Sequence, residues 1–267
     1  MSSNDAVLLS RDGHVAIATL NRAATRNAID DEMADALVAL CERVDADLGI
    51  GCVVLASIGP AFCAGGNIKQ MHARTGMFGG TAAEMRRSYR AGIQRVPLAL
   101  RALEVPIVAA VGGPAVGAGF DLALMCDVRV AAIEATFAES FIRLGLVSGD
   151  GGAWLLQRVA GVARAYQMAL TGDTISAARA EQWGIVSAVH PAERLLPEAL
   201  AIAHRIASHP PHSIRLNKRL LRDAEGSTLQ QNLELAAALQ SIVQHTDDLH
   251  EGVAAAVEKR PPTFTGH

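Results

Sequence analysis

Two glycine-rich segments and three carboxylates carry the chemical content of this sequence. Ala61-Phe-Cys-Ala-Gly-Gly-Asn-Ile-Lys69 and Ala115-Val-Gly-Ala-Gly-Phe-Asp-Leu-Ala-Leu-Met-Cys-Asp127 each follow an apolar, strand-like run. Their side chains are small, so a ligand can approach the peptide N–H groups. A helix beginning near Phe120 would also turn its unpaired N–H groups and the positive end of its dipole toward the second segment. Brought together, two such turns make an oxyanion hole. Asp121, Glu139 and Asp150 sit in the second segment or follow it. Removing a proton from a carbon α to a carbonyl leaves charge on the carbonyl oxygen, so that chemistry needs a carboxylate close to an oxyanion stabiliser. The structural alternative is that Asp121 caps its own helix, and that Asp150 holds the loop Ser148-Gly-Asp-Gly-Gly152 or caps the helix after it.

Other chemistries fit less well. Gly112-Gly-Pro-Ala-Val-Gly-Ala-Gly119 departs from GxGxxG, and no Gly-Lys-Ser/Thr follows it. Leu146-Val-Ser-Gly-Asp150 misses the GxSxG frame of a serine hydrolase. The nine histidines, among them His72, His190, His204 and His212, are scattered without ligand spacing, so no metal site is expected. Cys41, Cys52, Cys63 and Cys126 lack CxxC spacing and read as buried free thiols. Trp154 and Trp183 read as core.

The elements that must position these groups alternate between strand and helix. Strands are predicted at 15–20, 52–56, 105–111 and 128–132, as short apolar runs. Ile29, Met33, Leu37, Leu40, Val44 and Leu48 recur at helical steps, with Asp30, Asp31 and Glu32 at the dipole's positive end. Residues 21–27 read as a loop and 76–81 as a mobile glycine-rich loop. Further helices are predicted over 84–103, through Leu122 to Cys126, and through Trp154, Leu155 and Val159. The alternation predicts an α/β core of repeated ββα units over 1–190. After Pro191 the strands stop, and 191–267 reads as three or four helices interrupted at Pro210-Pro211.

At 267 residues and 50% hydrophobic, the chain can bury a full core. Its formal charge is −3, and of 24 basic residues only Lys69, Lys218 and Lys259 are lysines. Such a balance creates no field for nucleic acid or an anionic membrane. The uncharged stretch over 105–120 is broken by prolines and glycines and is shorter than the ~20 residues a membrane span needs. Met1-Ser-Ser-Asn-Asp lacks the pattern of a signal peptide, which points to the cytoplasm.

The chain resembles the crotonase, or enoyl-CoA hydratase/isomerase, superfamily along nearly its whole length. The matching segments are Leu20-Asn-Arg with Asn27-Ala28, both glycine turns, Phe137-Ala-Glu-Ser with Leu144-Gly-Leu, Arg158-Val-Ala-Gly161, Leu170-Thr-Gly with Ala177 to Val186, and the tail from Glu251-Gly-Val to Phe264. The resemblance implies a crotonase-like spiral of ββα units with a helical C-terminal region that trimerises, as a homotrimer or a dimer of trimers. It also implies an acyl-CoA thioester substrate, with coenzyme A present as part of that substrate and no separate cofactor. Its pattern assigns the oxyanion N–H groups to Gly66 and Ala118. Coenzyme A would lie along Ala24, Thr25 and Arg26, then Ala64, Gly66, Asn67 and Ile68, with Lys259 as a further contact from the tail.

The departures bear on the reaction. A typical hydratase of the family uses two glutamates to place and activate water. Here the first position holds Asp121 and the second Phe141, which does no acid/base work. Isomerases, including those of phenylacetate breakdown, use an aspartate in the loop after Leu-Gly-Leu. An ungapped match puts it at Gly149, with Asp150 one place later and Glu139 two residues before the vacant glutamate position. The resemblance therefore implies an acyl-CoA enzyme, with double-bond isomerisation favoured over two-glutamate hydration. Hydration by an altered acid pair and a non-catalytic acyl-CoA-binding homologue remain the alternatives. Some members of the superfamily bind RNA, against which the weak positive charge argues.

Overall fold

The computed structural model describes residues 5–267; residues 1–4, most of the Met1-Ser-Ser-Asn-Asp start, lie outside the described residues. The chain opens with a hairpin of β1 (Val7–Asp12) and β2 (Val15–Leu20), paired antiparallel. The helix α1 (Asp31–Asp45) then returns it to β3 (Cys52–Ser57), parallel to β2. Asp30 sets where α1 begins, because its carboxylate accepts from the Met33 N–H at 3.0 Å. That cap leaves Ile29 outside the helix, and Leu48 also lies beyond it, so both ends fall short of the apolar periodicity. Met33, Leu37, Leu40, Cys41 and Val44 form the buried face.

The next unit carries α2 (Ile68–Ala73), α3 (Ala82–Ala91) and α4 (Arg95–Ala102) into β4 (Ile107–Val111), parallel to β3. The single helix expected over 84–103 is thus two helices. Gly92 separates them with φ −105° and ψ −109°, and a side chain there would press on the Ser88 carbonyl. Residues 76–81 include a 3₁₀ turn at Gly76–Phe78 that buries Met77. The strand expected from 105 begins at Ile107, after Pro106, whose carbonyl accepts from the Val53 N–H at 2.8 Å. All five residues of β4 are buried, as expected of an interior parallel strand.

From β4 the chain passes through β5 (Ala115–Val116) and α5 (Ala118–Leu124) to β6 (Val128–Ala132). It continues through β7 (Thr136–Ala138), α6 (Gly152–Ala160), α7 (Val162–Thr171), β8 (Thr174–Ser176) and α8 (Ala177–Gln182) to β9 (Ala188–His190). The large sheet has the order β1-β2-β3-β4-β6-β9, and a second sheet has the order β5-β7-β8. Isolated bridges from Ile29 to Gly66 and from Cys63 to Ala115 extend the second layer. β2, β3, β4 and β6 of the large sheet are therefore each followed by a step in the second layer and then by helix, which is the ββα spiral.

Four helices complete the chain: α9 (Ala192–Ala207), α10 (Pro211–Ala224), α11 (Leu229–Val243) and α12 (Asp247–Glu258). Leu195, Ala199 and Ala203 of α9 cover the sheet face formed by Val15, Cys52, Val54, Val108 and Val130. Lys218 of α10 reaches the Asp127 carboxylate at 2.8 Å and the Val105 carbonyl at 2.9 Å, anchoring that helix under β4. Among the described residues no helix is long and apolar enough to cross a membrane.

Asn27 ties the first unit to the first glycine turn. It is fully buried in a left-handed conformation (φ 55°), accepts from the Arg22 N–H at 2.8 Å, and donates to the carbonyls of Ile58 at 2.9 Å and Ala61 at 3.1 Å. Asn27→Ala leaves these groups unpaired, and the expected cost is about 1–3 kcal/mol, read as a lower denaturant midpoint in equilibrium unfolding.

Candidate active site

The two glycine turns lie against each other. The Val116 N–H donates to the Cys63 carbonyl at 3.0 Å and the Cys63 N–H to the Pro114 carbonyl at 3.2 Å. Gly119, in the first turn of α5, faces that same Cys63 carbonyl so closely that a β-carbon would overlap its oxygen. A methyl group on Gly65 would stand 3.4 Å from the Ala118 nitrogen, so the first turn runs past the Ala118 N–H one residue before Gly66. Ala118 opens α5 and has no helical acceptor, and neither its N–H nor that of Gly66 is committed to a backbone turn, loop or cap hydrogen bond among the described residues.

Three acids converge beside Ala118. Asp121 is fully buried, and Glu139 and Asp150 are buried with it. Neither aspartate is a cap: α5 is preceded by Gly117 and α6 by Gly151, and neither helix has a side-chain cap. The Asp121 carboxyl is within hydrogen-bonding reach of both Glu139 and Asp150. The Ser148 hydroxyl donates to Asp121 Oδ2 at 3.2 Å and accepts from the Ala153 N–H at 3.2 Å, linking the acids to the start of α6. Gly152 presses on the Asp121 carboxyl from the other side, where a β-carbon would collide with it.

With all three ionised, Asp121 Oδ1 and both oxygens of Glu139 and Asp150 would have no donor among the described residues. Burial first, and then the charges of Asp150 and Glu139, hold the Asp121 carboxyl well above the ordinary carboxylate range. A proton kept on Asp121 can be given to either neighbour. Burial pushes Glu139 up to about 7, against the opposing hydrogen bond from Asp121. Asp150 is also raised by burial, with the Asp121 hydrogen bond pulling the other way.

The wall of the site comes from residues the sequence reading did not identify. Met71 and Phe78 close over Gly66, and Phe78 meets Tyr89 edge to face at 6.4 Å. The Tyr89 ring lies on Gly149, where a β-carbon would come within 2.8 Å of it. Burial and the Asp150 charge raise the Tyr89 phenol. Phe141 packs its ring against Gly117, at the edge of the second turn. Tyr89 thus crowds the position where an ungapped match would put an aspartate, and the carboxyl that lies buried beside Asp121 is that of Asp150.

The remaining candidates divide. Ala24 and Thr25 lie in the 3₁₀ turn Ala23–Thr25, and the Arg26 carbonyl accepts from the Ala64 N–H at 3.0 Å, so that loop is joined to the first turn. Asn67 caps α2 through its side chain, and Ile68 is exposed. Lys259 ends α12 in a left-handed conformation and has no hydrogen bond or ion pair to the turns among the described residues. The four cysteines are buried and free, with thiols pushed by burial up to about 12, which rules them out as thiolate nucleophiles at neutral pH.

Trp154 is not core as expected: it is 38% exposed and lies between Arg101 and Arg158, at 4.5 Å and 3.5 Å from its ring centre. Trp183, half-buried, carries Arg164 and Arg179 over its ring. A cavity of about 840 Å³ between α4, α6 and α10 has Trp154 in its wall. It reaches the acids through Gly149, Asp150 and Gly151 and includes neither Gly66 nor Ala118, so it lies behind the acids.

The sequence pattern of the enoyl-CoA hydratase/isomerase family matches residues 10–267. The chain belongs to the enoyl-CoA hydratase/isomerase family. It is 37% identical to the 1,2-epoxyphenylacetyl-CoA isomerase of Escherichia coli, over 93% of this chain and 94% of that protein. It is 35% identical to the 2,3-dehydroadipyl-CoA hydratase of the same organism, over 97% and 98%. The crystal structure of an enoyl-CoA hydratase from Bacillus anthracis aligns with a TM-score of 0.92 at 30% identity, covering 98% of this chain and all of that one. Enzymes of this hydratase/isomerase type act on acyl-CoA thioesters, and relatives of both names lie at similar identity.

The raised acids set a pH dependence of stability. Glu139 has a folded value near 7 against an ordinary value of 4.5, so between these the folded state binds more protons than the unfolded one. Its contribution is present below about 4.5 and is lost as pH rises through 7. Glu139→Gln removes the titration, so the variant's Tm should gain on the wild type from pH 5 to pH 8, by roughly 2–4 °C per kcal/mol involved. Parallel melting curves across that range would refute the assignment.

Proposed function

We propose that the protein is an acyl-CoA isomerase that moves a double bond by proton transfer. The observation that carries this is the joining of the Gly66 and Ala118 N–H groups to a proton-sharing cluster of Asp121, Glu139 and Asp150, with apolar Phe141 where a second hydratase glutamate would stand. The thioester oxygen is held by the two N–H groups. Asp150 takes the α-proton of a 3-enoyl thioester, and the C–H electron pair moves into the dienolate, placing charge on the oxygen. The same proton returns to the γ carbon, and the double bond ends between the α and β carbons. No water is consumed and no electron is gained or lost.

The roles follow from environment. Asp121 retains its proton and donates to Asp150, which keeps Asp150 more ionised than burial alone would allow. Glu139 titrates near neutrality and serves as the second acceptor for the Asp121 proton. Ala24, Thr25, Arg26 and Ala64 form the side of the site suited to coenzyme A. The exposed Leu229, Leu233, Ile242, Val253 and Val257 of α11 and α12 fit burial against neighbouring copies in a trimer or a dimer of trimers, so light scattering should return three or six times the 28.0 kDa chain mass; a monomer would refute that part.

Incubation with 3-enoyl-CoA in ¹⁸O-water should give a product of unchanged mass and altered retention. Uptake of one labelled oxygen by 2-enoyl-CoA, the conjugated thioester to which water can add, would instead establish hydration by the altered acid pair. Tight binding of every thioester without turnover would establish the non-catalytic homologue. Ala118→Pro removes one oxyanion donor, and the expected loss in kcat is ~10²–10³. Asp150→Asn should lose at least as much, and near-normal turnover in a folded Asp150→Asn protein would move the proton carrier elsewhere.

A further inference from the structure

Beyond Tyr89 the wall of the site ends in a second cavity of about 410 Å³, between α3 and the loop that precedes α6. Its lining includes Arg86, Tyr89, Arg90, Leu146, Val147 and Gly149. Passing outward from the first glycine turn, the order is Phe78 against Gly66, then Tyr89 against Phe78 and Gly149, then the two arginines. The coenzyme A loop lies on the other side of that turn, where the Arg26 carbonyl binds the Ala64 N–H. The cavity is therefore placed at the far end of an acyl group whose thioester sits between Gly66 and Ala118.

Arg86 and Arg90 stand one helical turn apart on α3, so they share a face. Neither has an ion pair or a side-chain hydrogen bond among the described residues; the one acid of α3, Glu84, is used in the capping box with Thr81. Like charges at this spacing weaken a helix, so the pair is not explained by the stability of α3. Asp121, Glu139 and Asp150 are buried and do not line this cavity. Beside the arginines the lining is the Tyr89 ring, Leu146 and Val147, which is 83% exposed, together with Gln94, whose side-chain amide is taken up by the Gly149 carbonyl at 2.8 Å. A hydrocarbon segment fits that stretch, and a planar anion fits the paired guanidinium groups beyond it.

We propose that this cavity receives the distal end of the acyl group and that Arg86 and Arg90 bind a carboxylate there, so that the preferred substrates are thioesters of dicarboxylic acids. The proposal rests on the acyl-CoA reading above and adds the chemistry of the tail. The phosphates of coenzyme A offer the same anionic chemistry and are the competing source of a ligand for these arginines.

Calorimetric titration of the full-length protein with adipyl-CoA and hexanoyl-CoA separates the two. Both are saturated, so neither isomerises, and binding is read apart from turnover. Adipyl-CoA is expected to bind at least ~10-fold more tightly than hexanoyl-CoA. The variant Arg86→Gln/Arg90→Gln should lose that preference while holding hexanoyl-CoA within about twofold of the wild type. Both side chains are exposed, so the variant should fold, and a melting curve matching that of the wild type is the check. No preference in the wild type would overturn the proposal. Equal loss of both ligands in the variant would also overturn it and assign the arginines to the coenzyme phosphates. Failure of 3-enoyl-CoA turnover, with the binding preference intact, would refute isomerisation alone.

Discussion

The site depends on the close approach of the second glycine turn to the Cys63 carbonyl. That oxygen accepts the Val116 N–H and lies directly against Gly119, so the first turn of α5 rests on the first glycine turn with no side chain between them. A helix seated this way leaves its opening N–H groups facing the neighbouring turn. All seven residues of α5 are buried, so the helix has no freedom to rotate and its third residue after Ala118 is aimed by the backbone. The position of Asp121 is in this sense a packing result: Gly119 fixes the depth of the helix, and Gly152 leaves the space into which the carboxyl projects.

Packing three carboxylates in one buried place is costly unless protons are retained. No cation contributes to the shifts of Asp121, Glu139 or Asp150. Arg101 and Arg158, which line the same cavity as Asp150, are stacked on Trp154 and paired with Glu225 at 3.0 Å and 3.7 Å. A lysine or arginine inside the cluster would have stabilised the ionised acids and lowered their pKa values, giving an inert salt bridge. Without one, burial raises all three acids above the ordinary carboxylate range, Glu139 to about 7, and they hold protons that can move. Ser148 links the acids to the backbone through the Ala153 N–H at the start of α6.

Much of this was legible in the sequence because the relevant signals are local. Glycine turns after apolar strands, an acidic helix start and fully apolar parallel strands leave marks on consecutive residues, and β2, β4, β6 and α1 fall close to where those marks put them. The convergence of Asp121, Glu139 and Asp150 could be suspected from residue type but not measured. The missed pieces lack local marks. β1 is a half-exposed edge strand without alternation, and β7, β8 and β9 are three residues each. Met71, Phe78 and Tyr89 reach the site from α2, α3 and the turn between them, and a side chain's reach across the fold has no period in sequence. Trp154 misled for a related reason: a large aromatic reads as core, yet two arginines can cover its faces near the surface.

The loop after Leu144-Gly-Leu shows how an acid can be kept in place when its register moves. Tyr89 occupies the space beside Gly149, and the Gln94 side chain donates to the Gly149 carbonyl at 2.8 Å, fixing that peptide. The next residue must then turn inward, and Gly151 permits it with φ 109°, a conformation that L side chains rarely adopt. The result is Asp150 buried beside Asp121, one residue later than an ungapped match would put it. The same aromatic ring that closes position 149 also separates the acids from Arg86 and Arg90. A shift of one residue in the acid and a bulky side chain on α3 are therefore parts of one arrangement. The ring that crowds position 149 is also the wall along which an acyl chain would run toward the arginines.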